Sequence, residues 1–242
     1  MENISHDECL ACEHGLSLYI EADGKKILFD TGASENFAAN AEKMGVDLKA
    51  VDFAAISHGH YDHGGGLAKF IEINDHAPIY ISNKGFNQYY SGTDFNVSIP
   101  EGLEGNPRFV LTSEPIKLSE NITLLNCNDR EAKYFADPYG LNKLVDGEFI
   151  PDDFLHEQYL IIEENGKRIV ISGCSHKGIL NIMEWLKPDI LIGGFHFFRL
   201  TTEGEDAATL DKSAAILNEY GATYYTCHCT GTEQYEYLKA QM

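Results

Sequence analysis

The run Ser57-His58-Gly59-His60-Tyr61-Asp62-His63-Gly64-Gly65-Gly66 places three imidazoles and a carboxylate within six residues. It follows directly on the apolar stretch 51–56, which reads as a buried strand. In an extended continuation of that strand, residues two apart point the same way, so His58 and His60 can share one metal ion. The three glycines then permit a sharp turn that would aim Asp62 and His63 at a neighbouring point. Neutral imidazole and carboxylate together suit zinc, iron or manganese.

Three more histidines each sit just past a predicted strand: His176 in Gly173-Cys174-Ser175-His176, His196 in Gly193-Gly194-Phe195-His196, and His228 in Cys227-His228-Cys229-Thr230-Gly231. Any one of them could be a core histidine with its hydrogen bonds met. Three in the same topological position, at strand ends where layered α/β folds bind ligands, point to a site shared with the first cluster.

The elements that must position these residues follow from periodicity and turn chemistry. Strands at 15–21 and 26–30 flank the turn Ala22-Asp23-Gly24-Lys25, and a helix over 36–44 stops at Gly45. The strand at 51–56 feeds the histidine run, followed by a helix over 66–73 and a strand at 78–82. From 83 to 153 the pattern weakens, with short strands at 108–112 and 122–125. Regularity returns with a hairpin of 158–163 and 168–172, a helix over 178–187, a strand at 189–193, a helix over 206–220 and a strand at 223–227. The layout predicts two packed sheets with helices outside, a single α/β domain over 1–242. The irregular middle would supply substrate walls, with Phe86, Tyr89, Tyr90 and Phe95 to stack on a flat ring and Lys84, Arg130 and Lys133 to meet a phosphate.

Composition narrows the partners. A net charge of −20 without any cluster of Lys and Arg argues against nucleic acid and for a small-molecule substrate. No apolar run reaches membrane-spanning length and the first residues lack a signal-peptide pattern, so the expectation is a cytoplasmic protein with no membrane partner. Oligomeric state is not encoded in any readable way. The six cysteines have no disulfide-framework spacing, and Cys9-Leu10-Ala11-Cys12 reads as structural rather than redox-active.

Leu28-Phe29-Asp30-Thr31-Gly32, the His-x-His-x-Asp-His run and the spaced later histidines together resemble the metallo-β-lactamase superfamily. Glu13-His14-Gly15-Leu16-Ser17, with the three later histidine motifs, is similar to a subgroup described as like 7,8-dihydropterin-6-methyl-4-(β-D-ribofuranosyl)aminobenzene-5′-phosphate synthase. The resemblance implies a four-layer αββα sandwich holding one or two divalent ions, zinc before iron or manganese. It implies His58 and His60 on a first ion, Asp62 and His63 with His228 on a second, and His176 as a remaining ligand. Asp62 would also orient the nucleophile, and His196 would give a proton to the leaving group or hold a phosphate oxygen. Asp30 would either brace a metal-binding histidine or cap its own turn.

Two departures from the family pattern matter. Cys174 stands where a metal-bridging Asp is common, as a thiolate ligand or an inert packed thiol, and His156 is the one candidate for an upstream ligand, or a surface turn. The strand with which relatives open is missing before Glu13, through an upstream start or a shortened sheet edge. The expected function is a metal-dependent hydrolase of a small phosphoester or pterin-like substrate using a metal-activated hydroxide. The alternative is a transferase joining a dihydropterin diphosphate to an arylamine ribotide; a third class is an iron-dependent redox or sensing protein.

Overall fold

The computed structural model describes all 242 residues of the chain. Hairpin β1 (Leu18–Ala22) and β2 (Lys25–Phe29) leads to helix α1 (Asn36–Lys43), strand β3 (Phe53–Ala55), the single turn α2 (Tyr61–Gly64), helix α3 (Leu67–Ile73) and strand β4 (Ile79–Ser82). The regular elements of the middle are all short strands: β5 (Tyr89–Ser91), β6 (Phe95–Asn96), β7 (Phe109–Thr112), β8 (Ile116–Lys117), β9 (Ile122–Asn126), β10 (Leu141–Val145) and β11 (Glu148–Pro151). The chain closes with β12 (Gln158–Glu164), β13 (Lys167–Ile171), α4 (Ile179–Leu186), β14 (Ile190–Gly193), α5 (Gly204–Glu219), β15 (Thr223–Thr226) and α6 (Thr232–Lys239).

Five strands, in the order β1-β2-β3-β4-β7, form one sheet, and six, in the order β15-β14-β13-β12-β9-β8, form the other. Side chains alternate across each strand, and both faces of both sheets are apolar. Ile27 and Phe29 of β2 meet Ile122, Leu124, Leu160 and Ile162 between the sheets. Leu28, between them in sequence, turns outward to Phe37, Ala41, Leu67 and Phe70 on α1 and α3. On the second sheet Tyr159, Ile161 and Val170 turn outward to Ile182, Met183, Leu210 and Leu217 on α4 and α5. Three apolar layers thus separate helix, sheet, sheet and helix, which is the expected αββα sandwich. Each fully buried Ile, Leu or Phe in these layers contributes about 1.5–3 kcal/mol by leaving water.

Parallel pairing of β2 with β3 and β3 with β4, and of β13 with β14 and β14 with β15, brings their carboxyl ends to one edge of the sandwich. Asp30, Ser57-His58, Cys174-His176, His196 and His228 all follow strands at that edge. Asp62 and His63 lie on the helical turn α2, one turn ahead of the expected helix, rather than on a loop shaped by the glycines. Tyr61–His63 continue the chain beneath a small antiparallel sheet, β11-β10-β5-β6, which occupies the stretch read as irregular. Its β10–β11 hairpin turns on Asp146-Gly147, both with positive φ, the same two-residue signal as Asp23-Gly24 between β1 and β2. Just ahead of β1, Met1 and Ser17 exchange both backbone hydrogen bonds, at 2.8 and 3.1 Å.

Gly173 marks where the two sheets touch behind the site. A Cβ there would strike the Ser57 hydroxyl oxygen and lie 2.7 Å from the Ser57 Cβ and 3.1 Å from His58 Nδ1. Ser57 is held on three sides and cannot give way. Gly173→Ala should therefore destabilise the protein by roughly 1–3 kcal/mol in urea unfolding, as overpacked interiors do. Gly105→Ala, with open space around its Cβ, should leave the midpoint unchanged. Equal midpoints for the two variants would mean that the Ser57 wall yields.

Candidate metal centre

One group of donors comprises Asp62, His63, Cys174 and His228, all buried. His63 Nε2 lies 3.2 Å from Cys174 Sγ, 3.2 Å from His228 Nε2 and 3.5 Å from Asp62 Oδ2, and the last two are 3.3 Å apart. The other nitrogen of each ring is committed. His63 Nδ1 donates to Asp30 Oδ2 at 2.7 Å. His228 Nδ1 donates to Asn3 Oδ1 at 2.8 Å, and the same oxygen accepts from the Gly15 N–H at 3.2 Å. With protons on both Nδ1 atoms, each Nε2 carries a bare lone pair.

The second group is His58, His60 and His176. The Ser57 hydroxyl donates to Asp30 Oδ2 at 2.8 Å, so its oxygen accepts from His58 Nδ1, also at 2.8 Å. His58 Nε2 is thereby bare as well, and it faces His176 Nε2 at 3.3 Å. His60 Nε2 is 3.9 Å from Asp152 and has no hydrogen-bond partner. Behind His176, buried Glu157 accepts from the backbone N–H groups of His176 and Lys177 at 2.7 and 3.0 Å and fixes the turn after β13.

These two arrangements fit metal ions. Facing lone pairs gain nothing from one another, whereas a cation between them gains from both. An ion bound tetrahedrally at about 2.0–2.3 Å holds its donors about 3.3–3.8 Å apart, close to the 3.2–3.5 Å around His63 and the 3.3 Å between His58 and His176. The electrostatics agree. Burial, then neighbouring imidazoles, pushes His58 and His176 well below the ordinary histidine range, and burial lowers His228 despite Asp62. All three are neutral donors at pH 7. For Asp62, burial raises the pKa, but His63 and its other neighbours outweigh that and hold it well below the usual carboxylate range. For His63, burial lowers the pKa, but Asp62 and Asp30 reverse the balance and raise it, so they favour a proton on Nε2 that a cation binding there must displace. Burial also pushes the Cys174 thiol well up, so it ionises only when a cation displaces its proton.

Backbone strain collects at the same edge. Asp30, Ser175, His196 and His228 adopt left-handed conformations, with φ of 61°, 59°, 55° and 48°. Each costs on the order of 1 kcal/mol for a non-glycine residue and is sustained by the hydrogen bonds and packing around it.

Of the remaining sequence candidates, His156 lies beside the second group with both nitrogens engaged. Its Nδ1 accepts from the Gly59 N–H at 2.8 Å and its Nε2 donates to Asp152 at 3.0 Å. It is no surface turn, being 1% exposed. His196 lies beside His176, ring centroids 4.3 Å apart, with neither nitrogen partnered. Asp30 braces rather than caps: its oxygens go to Ser57 and His63. Among the aromatics proposed as substrate walls, only Phe95 lines the cleft over the metal groups. Phe86 packs on Phe109 against the helix layer, Tyr89 stacks on His156, and Tyr90 meets Phe149 in the small sheet. Arg130 and Lys133 are tied to Trp185 and Glu184 on α4.

Sequence reasoning missed four contributors. Ser57 and His14 lie inside quoted motifs; His14 is half exposed and its Nε2 is 3.4 Å from Asp62. Arg199, on the wall of the cleft, follows a readable aromatic pair, Phe197-Phe198. Asn3 gave no signal, since it meets His228 across 225 residues.

A family model described as the metallo-β-lactamase superfamily matches residues 11–210. The chain belongs to the metallo-β-lactamase superfamily. It is 32% identical over 244 residues to the 7,8-dihydropterin-6-methyl-4-(β-D-ribofuranosyl)aminobenzene-5′-phosphate synthase of Methanocaldococcus jannaschii, covering 90% of this chain and 81% of that one. An uncharacterized protein of the same organism is 29% identical over 240 residues, covering 96% of this chain and 89% of its own length. The crystal structure of Tm1679, described as a metal-dependent hydrolase of the β-lactamase superfamily, superposes with a TM-score of 0.80 at 28% identity, over 99% of this chain and 90% of that one. The superfamily binds divalent metals, and the two donor groups stand where this metallo-β-lactamase fold gathers its strand ends.

Partners that orient a ligating histidine typically contribute ten- to a hundredfold in metal affinity. Asn3→Ala should accordingly weaken zinc binding by roughly that factor in a competitive chelator titration while leaving the fold intact by circular dichroism. Unchanged affinity would remove Asn3 from the support of His228.

Proposed function

We propose that the protein is a metal-dependent hydrolase acting on a small phosphoester or pterin-like substrate. The observation that carries this reading is the pair of facing lone pairs, His63 with His228 and His58 with His176, beneath one cleft of about 220 Å³ that has Arg199 on its wall. Asp62, His63, Cys174 and His228 would hold one ion, and His58, His60 and His176 a second. The thiolate in the first set favours zinc or iron over manganese. Bound there, a divalent cation polarises a phosphoryl or carbonyl oxygen and brings the pKa of water to about 7.

The chain's own groups divide the remaining work. Asp62, ionised, accepts a hydrogen bond from the attacking water and orients it. The Arg199 guanidinium pairs with a phosphate or carboxylate of the substrate. His14 covers Asp62 from the solvent side. His196, pushed down to about 3 by burial, is neutral at pH 7 and has no stored proton to give a leaving group.

A second reading, transfer of a dihydropterin diphosphate to an arylamine ribotide, is favoured by the 32% identity to the pterin-linked synthase over most of both chains. Both reactions release a phosphorylated group, so the donors are common to them. Incubation of the zinc-loaded protein with a pterin diphosphate, alone and with an arylamine, separates the two by product analysis. Free hydroxymethylpterin or its monophosphate in both samples supports hydrolysis, a coupled product supports transfer, and turnover of neither sinks the transferase and the pterin substrate.

Two outcomes follow for the donors. His60→Ala and Asp62→Ala should each lose about one equivalent of metal by elemental analysis, and activity on phosphodiester substrates should fall at least about a hundredfold. Full turnover in a metal-free variant would contradict the mechanism. If Cys174 is a ligand, zinc uptake in weak buffer near pH 7 should release about one proton more from wild type than from Cys174→Ser. Equal release would leave the thiol as packing alone.

A further inference from the structure

A second cavity, of about 730 Å³, lies on the far side of His176 and His196 from the metal cleft. Its size falls within the roughly 300–1,000 Å³ of small-molecule sites, whereas the metal cleft is smaller than that range. The two imidazoles form part of the wall of both spaces. His176 turns Nε2 to His58, and its Nδ1 has no partner; neither nitrogen of His196 has one either. The rings are 96% and 91% buried, taking their exposures of 4% and 9%. An orphaned buried polar group of this kind costs about 1–3 kcal/mol. Ligating histidines almost always donate their second N–H to an acceptor, and here the protein supplies none.

The opposite wall is held ready. Asn181, fully buried on α4, takes the backbone N–H groups of Lys133 and Tyr134 on its Oδ1 at 3.0 and 2.8 Å. Its Nδ2 returns bonds to the Tyr134 and Lys177 carbonyls, both at 2.8 Å. This spends the side chain on pinning an otherwise irregular segment over the cavity. The pinned segment carries Phe135, 89% exposed at the rim, and Tyr139, whose ring is 5.7 Å from that of His196. An aromatic so exposed, anchored so firmly, has no packing role in the fold.

We propose that this cavity binds a flat aromatic ring bearing a hydrogen-bond acceptor, a carboxylate or ring carbonyl, which accepts from the orphaned N–H groups of His176 and His196 while its face packs on Phe135 and Tyr139. The acceptor contact depends on the proposed function, since His176 Nε2 must be the ligating atom for its proton to sit on Nδ1. The ring contact depends only on the cavity and its aromatic rim.

Benzoate is a minimal probe, with cyclohexanecarboxylate as the acceptor without a flat ring and aniline as the ring without an acceptor. Calorimetric titration of the zinc-loaded protein, in which His176 Nε2 is occupied, should show saturable benzoate binding at least about tenfold tighter than either control. Phe135→Ala should weaken it about three- to tenfold, the usual worth of one aromatic contact, without touching the core. Leu180→Trp, on the cavity wall, should abolish it by filling the space. Absence of saturable benzoate binding, equal affinity for all three probes, or undiminished binding in both variants would overturn the proposal. Because binding rather than turnover is read, and the control carboxylate and the two variants report on the cavity rather than on the metal, a failed hydrolase or transferase reading is distinguishable from a failed ligand site.

Discussion

The buried carboxylate of Asp30 is the contact on which the site depends. It is wholly removed from solvent and takes the Ser57 N–H at 2.6 Å, the Ser57 hydroxyl at 2.8 Å and His63 Nδ1 at 2.7 Å. A buried anion with three donors is stable where an unpaired one would not be. Through Ser57 it also sets His58, so one carboxylate at the end of β2 determines the tautomer of a ring in each donor group. Losing it would leave two imidazoles free to turn and Ser57 without its acceptor.

The same logic of indirect support runs outward from the rings. His228 is held by Asn3 and by two short bonds from its backbone N–H to Glu2, at 2.7 and 3.0 Å. Glu13 accepts from the Ala33 and Ser34 N–H groups and from the Ser34 hydroxyl, binding the segment before β1 to the loop after β2. His156, though not free to ligate, lends Nδ1 to the Gly59 N–H in the middle of the His-x-His run and so shapes that turn. The interior around the site is therefore polar but largely satisfied, and the unmet groups, on His60, His176 and His196, face where ligands belong.

The strained positions have a common origin. Parallel strands end together at one edge, and each must reverse direction at once to aim a side chain back across the sheets. At Asp30, Ser175, His196 and His228 that reversal is made by a left-handed residue that keeps its side chain, where glycine would have been easier for the backbone but useless for the site.

Much of this was readable from residue order. The His-x-His-x-Asp-His run, the strand ahead of it and the apolar stretches 26–30, 158–163 and 168–172 specify a metal-type cluster on a layered α/β fold, because apolar runs bounded by turn residues and strand-end placement are local properties. The hairpin on Asp146-Gly147 was equally local and shows that the irregular middle held more signal than its scattered aromatics suggested. What only the tertiary structure decided was which distant rings converge. His176 points a nitrogen at His58 while His156, the other histidine weighed as a ligand, spends both of its own, and Asn3 reaches His228 from the other end of the chain. Those outcomes turn on how β13 and β12 pack against β3 and on where the amino-terminal segment lies, and no local pattern records the path of a chain through space.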